Sequence, residues 1–236
     1  MTILFISDLH LDARRPEIID MFCRCLESHS SLEAIYILGD FVEYWIGDDD
    51  DAHGLDAAFN SVRAVSKSGI PIYLMHGNRD FLFGEQFAQT YGLSMLADPT
   101  VIDLYGIPTL LMHGDTLCTD DAAYQAFRTM VRNPDWQKDF LNKSLNERRT
   151  IVQQLRDTSR REMSNKSEEI MDVNQKTVES IMREYKVTRL IHGHTHRPAI
   201  HNFELDNKPA MRIVLGDWYT QTSTLTFAEN GFKLSN

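Results

Sequence analysis

Cysteine is scarce in this chain, and its positions give no disulfide framework. Only 3 of the 236 residues are cysteine. Cys23 and Cys25 lie two positions apart on a predicted helix and face different ways, and Cys118 has no evident partner in the sequence. A sparse, odd set of this kind suits a reducing compartment and predicts that all three side chains serve in ordinary packing.

Long apolar runs are also lacking. No segment approaches the roughly 20 apolar residues that are needed to span a bilayer. The apolar stretch at residues 2–7 is too short for a signal peptide, and no basic region precedes it. We therefore expect a protein of the cytoplasm.

An excess of positive charge is absent too, since 34 acidic and 24 basic residues give a formal net charge of −10. That balance argues against general nucleic-acid binding, which relies on basic surfaces. The segment 143–166 reverses the sign, and apolar residues run through it at helical spacing. The commoner interpretation is an amphipathic helix with a solvated charged face. The alternative is contact with an anionic substrate and, through Arg148, Arg149, Arg160 and Arg161, with anionic lipid head groups.

The order of predicted elements indicates an α/β fold that is interrupted by helices. Up to about residue 115, apolar runs alternate with predicted helices at 17–27, 55–67 and 84–91, which is the pattern of βαβ units. Helical periodicity replaces the strand signal over 120–185, and strands then resume. We therefore predict a core formed by residues 1–120 and 186–236, with a helical cap at 121–185.

Five short polar motifs follow apolar runs and hold the residues that carry chemistry. They are Asp8-Leu9-His10, Gly39-Asp40, Gly77-Asn78-Arg79-Asp80, His113-Gly114-Asp115 and Gly193-His194-Thr195-His196. Buried parallel strands read as continuous apolar runs, and open α/β sheets bind ligands at the carboxyl ends of their strands. We therefore expect the five motifs to converge on one site.

The residue types in these motifs favour a site for two divalent cations. Carboxylates, imidazoles and an amide without a thiolate suit Mn²⁺ or a similar ion better than structural zinc. Asp40 is the candidate to bridge both ions, and a metal ion can supply a nucleophilic hydroxide from water. Any one motif alone is more often a turn, a cap or a surface cluster. The predicted metal ligands are Asp8, His10, Asp40, Asn78, His113, His194 and His196.

Three neighbouring features receive more ordinary interpretations. His192 alternates with His194 in an extended segment and is expected to play a structural or supporting part. Asp115 is a candidate for fixing the tautomer of a ligand histidine. The four aspartates at 48–51 are expected to form a solvated acidic loop, because adjacent carboxylates lack the spacing of a cation-binding loop.

The five motifs, in this order, resemble those of the calcineurin-like metallophosphoesterases. Longer strings at 36–40, 45–48, 113–121 and 170–175 are similar to those of the UDP-2,3-diacylglucosamine hydrolases of lipid A biosynthesis. The resemblance implies a four-layer αββα sandwich with a helical cap insertion, and two Mn²⁺ ions per subunit. It also implies peripheral association with the cytoplasmic face of the inner membrane. Neither a nucleic acid nor an obligate protein partner is expected.

The implied reaction is hydrolysis of the pyrophosphate bond of UDP-2,3-diacylglucosamine by attack of metal-activated water on the α-phosphate. The products are 2,3-diacylglucosamine 1-phosphate (lipid X) and UMP. By the same resemblance Asn78, Arg79 and His194 are catalytic, stabilising the charge that develops on the phosphate. Residues that match substrate-contacting positions of the family are Asn78, Arg79, Asp121, Tyr124, Ser159, Lys166 and His194.

The cap contributes two further candidate substrate contacts. Arg156 is expected near the phosphates together with Lys166. Met163 stands where an asparagine of the family is expected, and it cannot replace the hydrogen bonds of an amide. A neighbouring Ser164 or Asn165 is the candidate to compensate for that loss.

Arg79 bears on the class of bond that is cleaved. Its pKa lies above about 12, so it cannot usefully protonate an alkoxide, but its guanidinium can grip phosphate oxygens. A phosphate monoester leaving group, with a second pKa of about 6, needs no general acid. We therefore hypothesise selection for pyrophosphate bonds over alkyl phosphodiesters. The structural alternative is a surface arginine paired with Asp80.

Two other functions are compatible with parts of this pattern. One is a soluble phosphoesterase acting on a nucleotide or a phosphoprotein, which the basic and apolar segment 143–166 disfavours. The other is a binding scaffold that keeps the fold without metals, which is disfavoured because all seven candidate ligands are present.

Overall fold

The structure, a computed structural model, contains two stacked β-sheets with helices on their outer sides. It describes residues 2–29, 32–52, 54–163 and 170–235. Lys166, Ser164 and Asn165 lie outside the described residues, and the side chain of Met163 is likewise not described.

The first half of the chain alternates strands with helices. The strands are β1 (Thr2–Ile6), β2 (Leu32–Leu38), β3 (Ile72–Met75), β4 (Ser94–Leu96), β5 (Thr100–Leu104) and β6 (Ile107–Met112). The helices are α1 (Pro16–Ser28), α2 (Asp56–Lys67) and α3 (Glu85–Tyr91), and a short 3₁₀ turn (Asp115–Leu117) follows β6.

The second half begins with helices and ends with strands. The helices are α4 (Ala122–Val131), α5 (Pro134–Leu141), α6 (Leu145–Met163) and α7 (Gln175–Glu184). The strands are β7 (Arg189–His192), β8 (Ala199–Leu205), β9 (Lys208–Val214), β10 (Thr224–Ala228) and β11 (Gly231–Ser235).

The strands form two sheets of mixed direction. The first has the order β11-β10-β1-β2-β3-β4, in which β1 to β4 are parallel and β10 and β11 are antiparallel. The second has the order β5-β6-β7-β9-β8, with a parallel centre and an antiparallel strand at each edge. The carboxyl ends of the parallel strands therefore carry the predicted motifs at one end of each sheet.

The alternation of buried residues along each strand produces four layers. On β1, Leu4 packs in the cluster that contains α1, α2 and α3, whereas Phe5 packs between the sheets with Leu111. The outer face of the second sheet is covered by α7, since Leu110 and Val178 share one buried cluster. The predicted αββα sandwich is confirmed.

The predicted elements match the structure within a few residues at each end. Three short strands, β4, β5 and β11, were not predicted. Helices α4 to α7 occupy the predicted insertion, and α7 packs on the second sheet. The division into a core and a cap at residues 121–185 stays a prediction. None of the helices in the described parts of the chain is long and apolar enough to cross a membrane.

Helix α6 is fixed to the core by the acidic loop at residues 48–51. Both terminal nitrogens of Arg148 lie 2.6 Å from carboxylate oxygens of Asp49, and Nη1 also donates to the carbonyl of Ile46 at 2.8 Å. Arg149 donates to Asp50 at 2.7 Å. The expectation of a solvated loop is confirmed for Asp49 and Asp51, whose side chains are 59% and 50% exposed. The expectation missed the arginines that pair with the loop from about a hundred residues further along the chain.

The same contacts correct the expectation for lipid head groups. Arg148 is buried, and Arg149 is engaged by the aspartates of the loop. The buried guanidinium of Arg148 is therefore not available to a membrane surface, whereas contact through Arg149, whose side chain is 39% exposed, stays a prediction. Asp48, the first residue of the loop, accepts hydrogen bonds from the backbone N–H groups of Gly84 and Phe87 and so caps the start of α3.

Candidate metal centre

Strands of both sheets end at the same place and deliver the predicted ligands there. Asp8, Asp40 and Asn78 follow β1, β2 and β3 of the first sheet. His113 follows β6 of the second sheet, and His194 with its neighbour His196 follows β7. All seven predicted ligands come together, although they are separated by up to 188 positions in the sequence.

One group of donor atoms surrounds Asp8, His10 and His196. The Nε2 atoms of the two histidines are 3.2 Å apart, and His196 Nε2 lies 3.4 Å from Asp8 Oδ1. Asp8 Oδ1 is buried and has no hydrogen-bond partner. A divalent cation fits these donors, because it would satisfy the carboxylate oxygen and both imidazole nitrogens together.

A second group contains Asn78, His113 and His194. The Asn78 side-chain oxygen lies 3.0 Å from His113 Nε2 and 2.9 Å from His194 Nδ1. Asp40 stands between the groups, with Oδ2 at 3.7 Å from His10 Nε2 and Oδ1 at 3.9 Å from His113 Nε2. This position is the one required of a carboxylate that serves two ions.

The backbone has a positive φ angle at five of the predicted ligand positions. Residues Asp8, His10, Asp40, His194 and His196 have φ values of 54°, 48°, 51°, 69° and 55°. Left-handed backbone costs a residue with a side chain roughly 1–2 kcal/mol. As the chain leaves the pleat, this conformation turns the ligands of each Asp-x-His or His-x-His pair toward the centre.

Two glycines are required by the close approach of these loops. A Cβ atom on Gly77 would lie 2.1 Å from Asp40 Oδ1, and one on Gly193 would lie 2.2 Å from Asp8 Oδ2. Any larger residue would displace a carboxylate of the centre. The sequence motifs Gly-Asn-Arg-Asp and Gly-His-Thr-His therefore include their glycines for a steric reason.

Three predicted ligand histidines have a polar group close to the ring nitrogen that faces away from the centre. His113 Nδ1 donates to the Leu38 carbonyl at 2.9 Å. His10 Nδ1 lies 3.2 Å from Glu43 Oε2 without an aligned hydrogen bond, and His196 Nδ1 lies 3.3 Å from Asp217 Oδ2. A polar acceptor near Nδ1 favours the tautomer that presents Nε2 to a metal.

Glu43 and Asp217 were not among the predicted site residues. Glu43 follows Asp40 by three positions, which is a weak signal. Asp217 follows β9 in a Leu-Gly-Asp string like that of Asp40 after β2, which is a signal that could have identified it. Asp115 does not take the predicted part, since its Oδ2 accepts from Tyr124 Oη at 2.9 Å and Arg128 Nε at 2.6 Å. It thus ties α4 to the site instead of orienting a ligand histidine.

The electrostatics of the site reflect an excess of buried negative charge. Burial would lower the pKa of His113, but Asp40, Asp115 and Asp8 raise it to about 9. Burial and the charge of His113 lower the pKa of His194 to about 4. The carboxylates therefore attract a proton onto His113, and a cation at the centre would compete with that proton.

Arg79 faces the site and does not pair with Asp80. Its Nε is buried without a hydrogen-bond partner, and its backbone N–H donates to Asp40 Oδ1 at 2.8 Å. Asp80 is fully buried and accepts from the N–H groups of Gly77 at 2.8 Å and Phe41 at 2.6 Å. The alternative of a surface ion pair is therefore excluded, and the guanidinium is left for a ligand.

A cavity of about 380 Å³ extends from the centre to helices α4 to α6. Seven predicted substrate contacts line it: Asn78, Arg79, Asp121, Tyr124, Arg156, Ser159 and His194. The further predicted metal ligands His10, Asp40 and His196 line it as well. Asp121 also caps α4 by accepting from the Tyr124 N–H at 3.0 Å. Apolar side chains form much of the remaining lining, namely Phe81, Leu82, Phe127, Val131, Trp136, Phe140, Val152 and Leu155.

His192 lies outside the cluster, as its alternation with His194 predicts. It is fully buried, its Nδ1 donates to the Gly193 carbonyl at 2.8 Å, and its Nε2 lies 3.1 Å from Arg212 Nη1. Burial and the charge of Arg212 lower its pKa to about 3, so the ring is neutral and can accept that hydrogen bond.

His192 and His194, which lie two positions apart in one segment, should respond differently to substitution. We expect His194→Ala to weaken divalent-cation binding at least about tenfold, because it removes a donor from the centre. His192→Gln should bind the cation like the wild type but lose about 1–3 kcal/mol of stability, because a buried hydrogen bond is impaired. Metal analysis after dialysis measures the loss of cation binding, and urea unfolding measures the loss of stability. Equal metal loss in both variants would contradict the assignment.

Comparison with known proteins places this geometry in context. The family described as calcineurin-like phosphoesterase matches residues 1–198. The UDP-2,3-diacylglucosamine hydrolase of Cellvibrio japonicus is 49% identical over 237 residues, covering 100% of this chain and 99% of the relative. The protein of that name from Stenotrophomonas maltophilia is 47% identical over 242 residues, covering 99% and 98%.

A weaker likeness exists among solved structures. A novel archaeal phosphodiesterase aligns over 100% of this chain and 99% of its own, with 13% identity and a TM-score of 0.49. That value is too low to add to the assignment, which rests on the family match and the full-length relatives.

Proposed function

The chain belongs to the calcineurin-like phosphoesterases and, among them, to the UDP-2,3-diacylglucosamine hydrolase family, and we propose that it hydrolyses UDP-2,3-diacylglucosamine in lipid A biosynthesis. The bond cleaved is the pyrophosphate bond, and the products are 2,3-diacylglucosamine 1-phosphate and UMP. One observation carries the proposal: a single cavity joins a cluster of metal-ligand side chains to an apolar compartment.

Two Mn²⁺ ions suit the donor set of the centre. Asp8, His10 and His196 would hold one ion, Asn78, His113 and His194 would hold the other, and Asp40 would serve both. Oxygen and imidazole donors without a thiolate favour this class of cation. The chemistry that the cations supply is a nucleophilic water at neutral pH and neutralisation of phosphate charge.

The polar residues at the mouth of the cavity bind and orient the pyrophosphate. Arg79 is the principal one, since its buried Nε lacks a partner and a guanidinium matches the oxygens of phosphate. Asn78 and His194 lie beside it and stabilise developing charge. Tyr124 reaches the same end of the cavity, where its ring lies 5.6 Å from that of His194.

The apolar part of the cavity accommodates the acyl chains. It is enclosed by residues of α4, α5 and α6 together with Phe81 and Leu82 of the core. Burial of the chains there is driven by the apolar area removed from water, at about 25 cal/mol per Å². Asp121, Arg156 and Ser159 line the cavity as well and are suited to the polar glucosamine phosphate.

The direct test of this function is product analysis with the lipid substrate. Purified protein, UDP-2,3-diacylglucosamine and Mn²⁺ in detergent should yield UMP and 2,3-diacylglucosamine 1-phosphate in equal amounts, identified by mass spectrometry. Chelation should abolish turnover, and added Mn²⁺ should restore it. A water-soluble dinucleotide serves as the control substrate. Equal or faster turnover of the dinucleotide would favour the soluble phosphoesterase and reject the lipid assignment.

The choice of bond should depend on Arg79. We expect Arg79→Gln to lower kcat for the lipid substrate about 10²–10³-fold, because it removes donors that act on the developing charge. Arg79→Lys should recover part of that loss, since it keeps a point charge but not the planar fork.

The matched measurement for bond selectivity uses alkyl phosphodiesters and a cyclic nucleotide with the wild-type protein. These substrates should turn over far more slowly than the pyrophosphate, because arginine cannot protonate an alkoxide. Comparable rates would remove the proposed reason for an arginine at this position.

We also propose a cytoplasmic location with peripheral contact to the inner membrane. In support, Met130, Leu141 and Ile170 of the predicted cap region are exposed apolar side chains, at 46%, 40% and 40% exposure. The chain also carries Arg160 and Arg161 at the end of α6. Such groups are attracted to anionic head groups by about 1 kcal/mol each near the surface.

Vesicle sedimentation tests the membrane contact. Arg160→Gln with Arg161→Gln should weaken binding to anionic vesicles about 30-fold, as two losses of about 1 kcal/mol imply. Arg24→Gln, a substitution of an exposed arginine on α1, is the control and should bind nearly as tightly as the wild type. Unchanged binding of the double variant would reject this contact.

A further inference from the structure

Glu43 connects the candidate metal centre to the helix that covers the cavity. Its Oε2 lies 3.2 Å from Nδ1 of the predicted ligand His10, and its Oε1 lies 2.5 Å from Nη2 of Arg156 on α6. The side chains of His10 and Arg156 are buried, and Glu43 is 13% exposed. One carboxylate is therefore shared between two buried partners on different parts of the molecule.

The His10 ring is held on more than one side. Nε2 faces His196 and Asp40, while the face of the ring stacks on Tyr219 at 5.5 Å between centroids and an angle of 5°. The carboxylate of Glu43 lies 3.2 Å from Nδ1, although neither atom makes an aligned hydrogen bond in this structure, and it favours a proton on Nδ1. A shift of Glu43 would therefore change how Nε2 is presented to a cation.

Arg156 is the matching contact on α6. Its guanidinium lies 5.3 Å from the centre of the Tyr44 ring and is paired with Glu43. Residues of the same helix, Val152 and Leu155, form part of the wall of the cavity. The ion pair thus joins Glu43 to the part of α6 that lines the cavity.

We propose that Glu43 is a positioning residue that couples cation binding at His10 to closure of α6 over the substrate cavity. The inference rests on the proposed function, because it requires a cation at the centre. With a cation held at Nε2, Nδ1 would carry the proton and its contact with Glu43 would become a hydrogen bond, which would hold the carboxylate where Arg156 meets it. By linkage, closure of α6 must favour cation binding to the same extent.

The other ion pairs of α6 provide a matched control. Arg149 binds Asp50 and Asp51, and these aspartates are not in contact with a predicted ligand in the described structure. Its replacement removes a docking interaction of the same helix without breaking the connection through Glu43. The two kinds of ion pair can therefore be separated by measuring cation affinity.

The test is a calorimetric titration of metal-free protein with Mn²⁺, for Glu43→Gln, Arg156→Gln and the double variant. Each single variant should bind Mn²⁺ about 10–100-fold more weakly, the range that supporting residues of metal ligands give. The double variant should be no weaker than the weaker single variant, because both changes break one connection. Arg149→Gln should stay within about twofold of the wild type.

The direction in which Arg156→Gln changes the Mn²⁺ affinity distinguishes a positioning role from simple charge repulsion. Removing a cationic side chain near a cation site strengthens binding if only Coulomb repulsion matters. A positioning role predicts weaker binding instead. Arg156→Lys should restore most of the affinity, since a single nitrogen of Arg156 contacts Glu43.

Hydrogen exchange on α6 gives the readout of closure. In the wild type, Mn²⁺ should slow amide exchange over residues 145–159, and in Glu43→Gln it should not. Thermal unfolding without metal checks that each variant is folded. Unchanged or tighter Mn²⁺ binding by Arg156→Gln would overturn this inference and leave the proposed function standing. Additive losses of affinity in the double variant would do the same. Failure of the wild type to bind Mn²⁺ overturns the proposed function with it.

Discussion

The site depends on Asp40, whose carboxylate stands where the strand ends of two sheets meet. One oxygen faces His10 and the other faces His113, so the ligand groups are related through this one side chain. It occupies that position because Gly77 has no side chain to exclude it and because its own backbone is left-handed. Each ligand group also depends on ring nitrogens that are fixed from behind, by a carbonyl, Glu43 or Asp217.

The position of helices α4 and α6 is a second consequence of charge placement. The protein is acidic overall but carries one basic helical segment, and several arginines of that segment form ion pairs within the protein. Arg148 and Arg149 bind the acidic loop at 48–51, and Arg156 binds Glu43. Helix α4 is tied in the same way, through Arg128 on Asp115. Of these ion pairs, Glu43–Arg156 lines the cavity, whereas the others hold α4 and α6 to residues that do not line it.

Sequence alone predicted the features that are local in the chain. The strand ends and their ligands could be identified because buried strands leave continuous apolar runs and because the ligand types are chemically distinctive. Features that depend on distant partners were missed or misinterpreted. The arginines that pair with the loop at 48–51 lie 98–99 positions away, so these ion pairs could not be predicted. Glu43 carries no motif, and its importance follows only from which ring nitrogen it faces. Asp217 was missed although it follows β9 in a Leu-Gly-Asp string like that of Asp40.

The left-handed backbone at five ligand positions limits how this centre can change. Asparagine, aspartate, histidine and glycine tolerate such angles, whereas β-branched residues strongly resist them. Valine or threonine at these positions would therefore disturb the loop itself as well as remove a donor. A designer who transplants the ligands onto another scaffold must transfer the turns and their glycines as a unit, since an ordinary strand end would point the same side chains elsewhere.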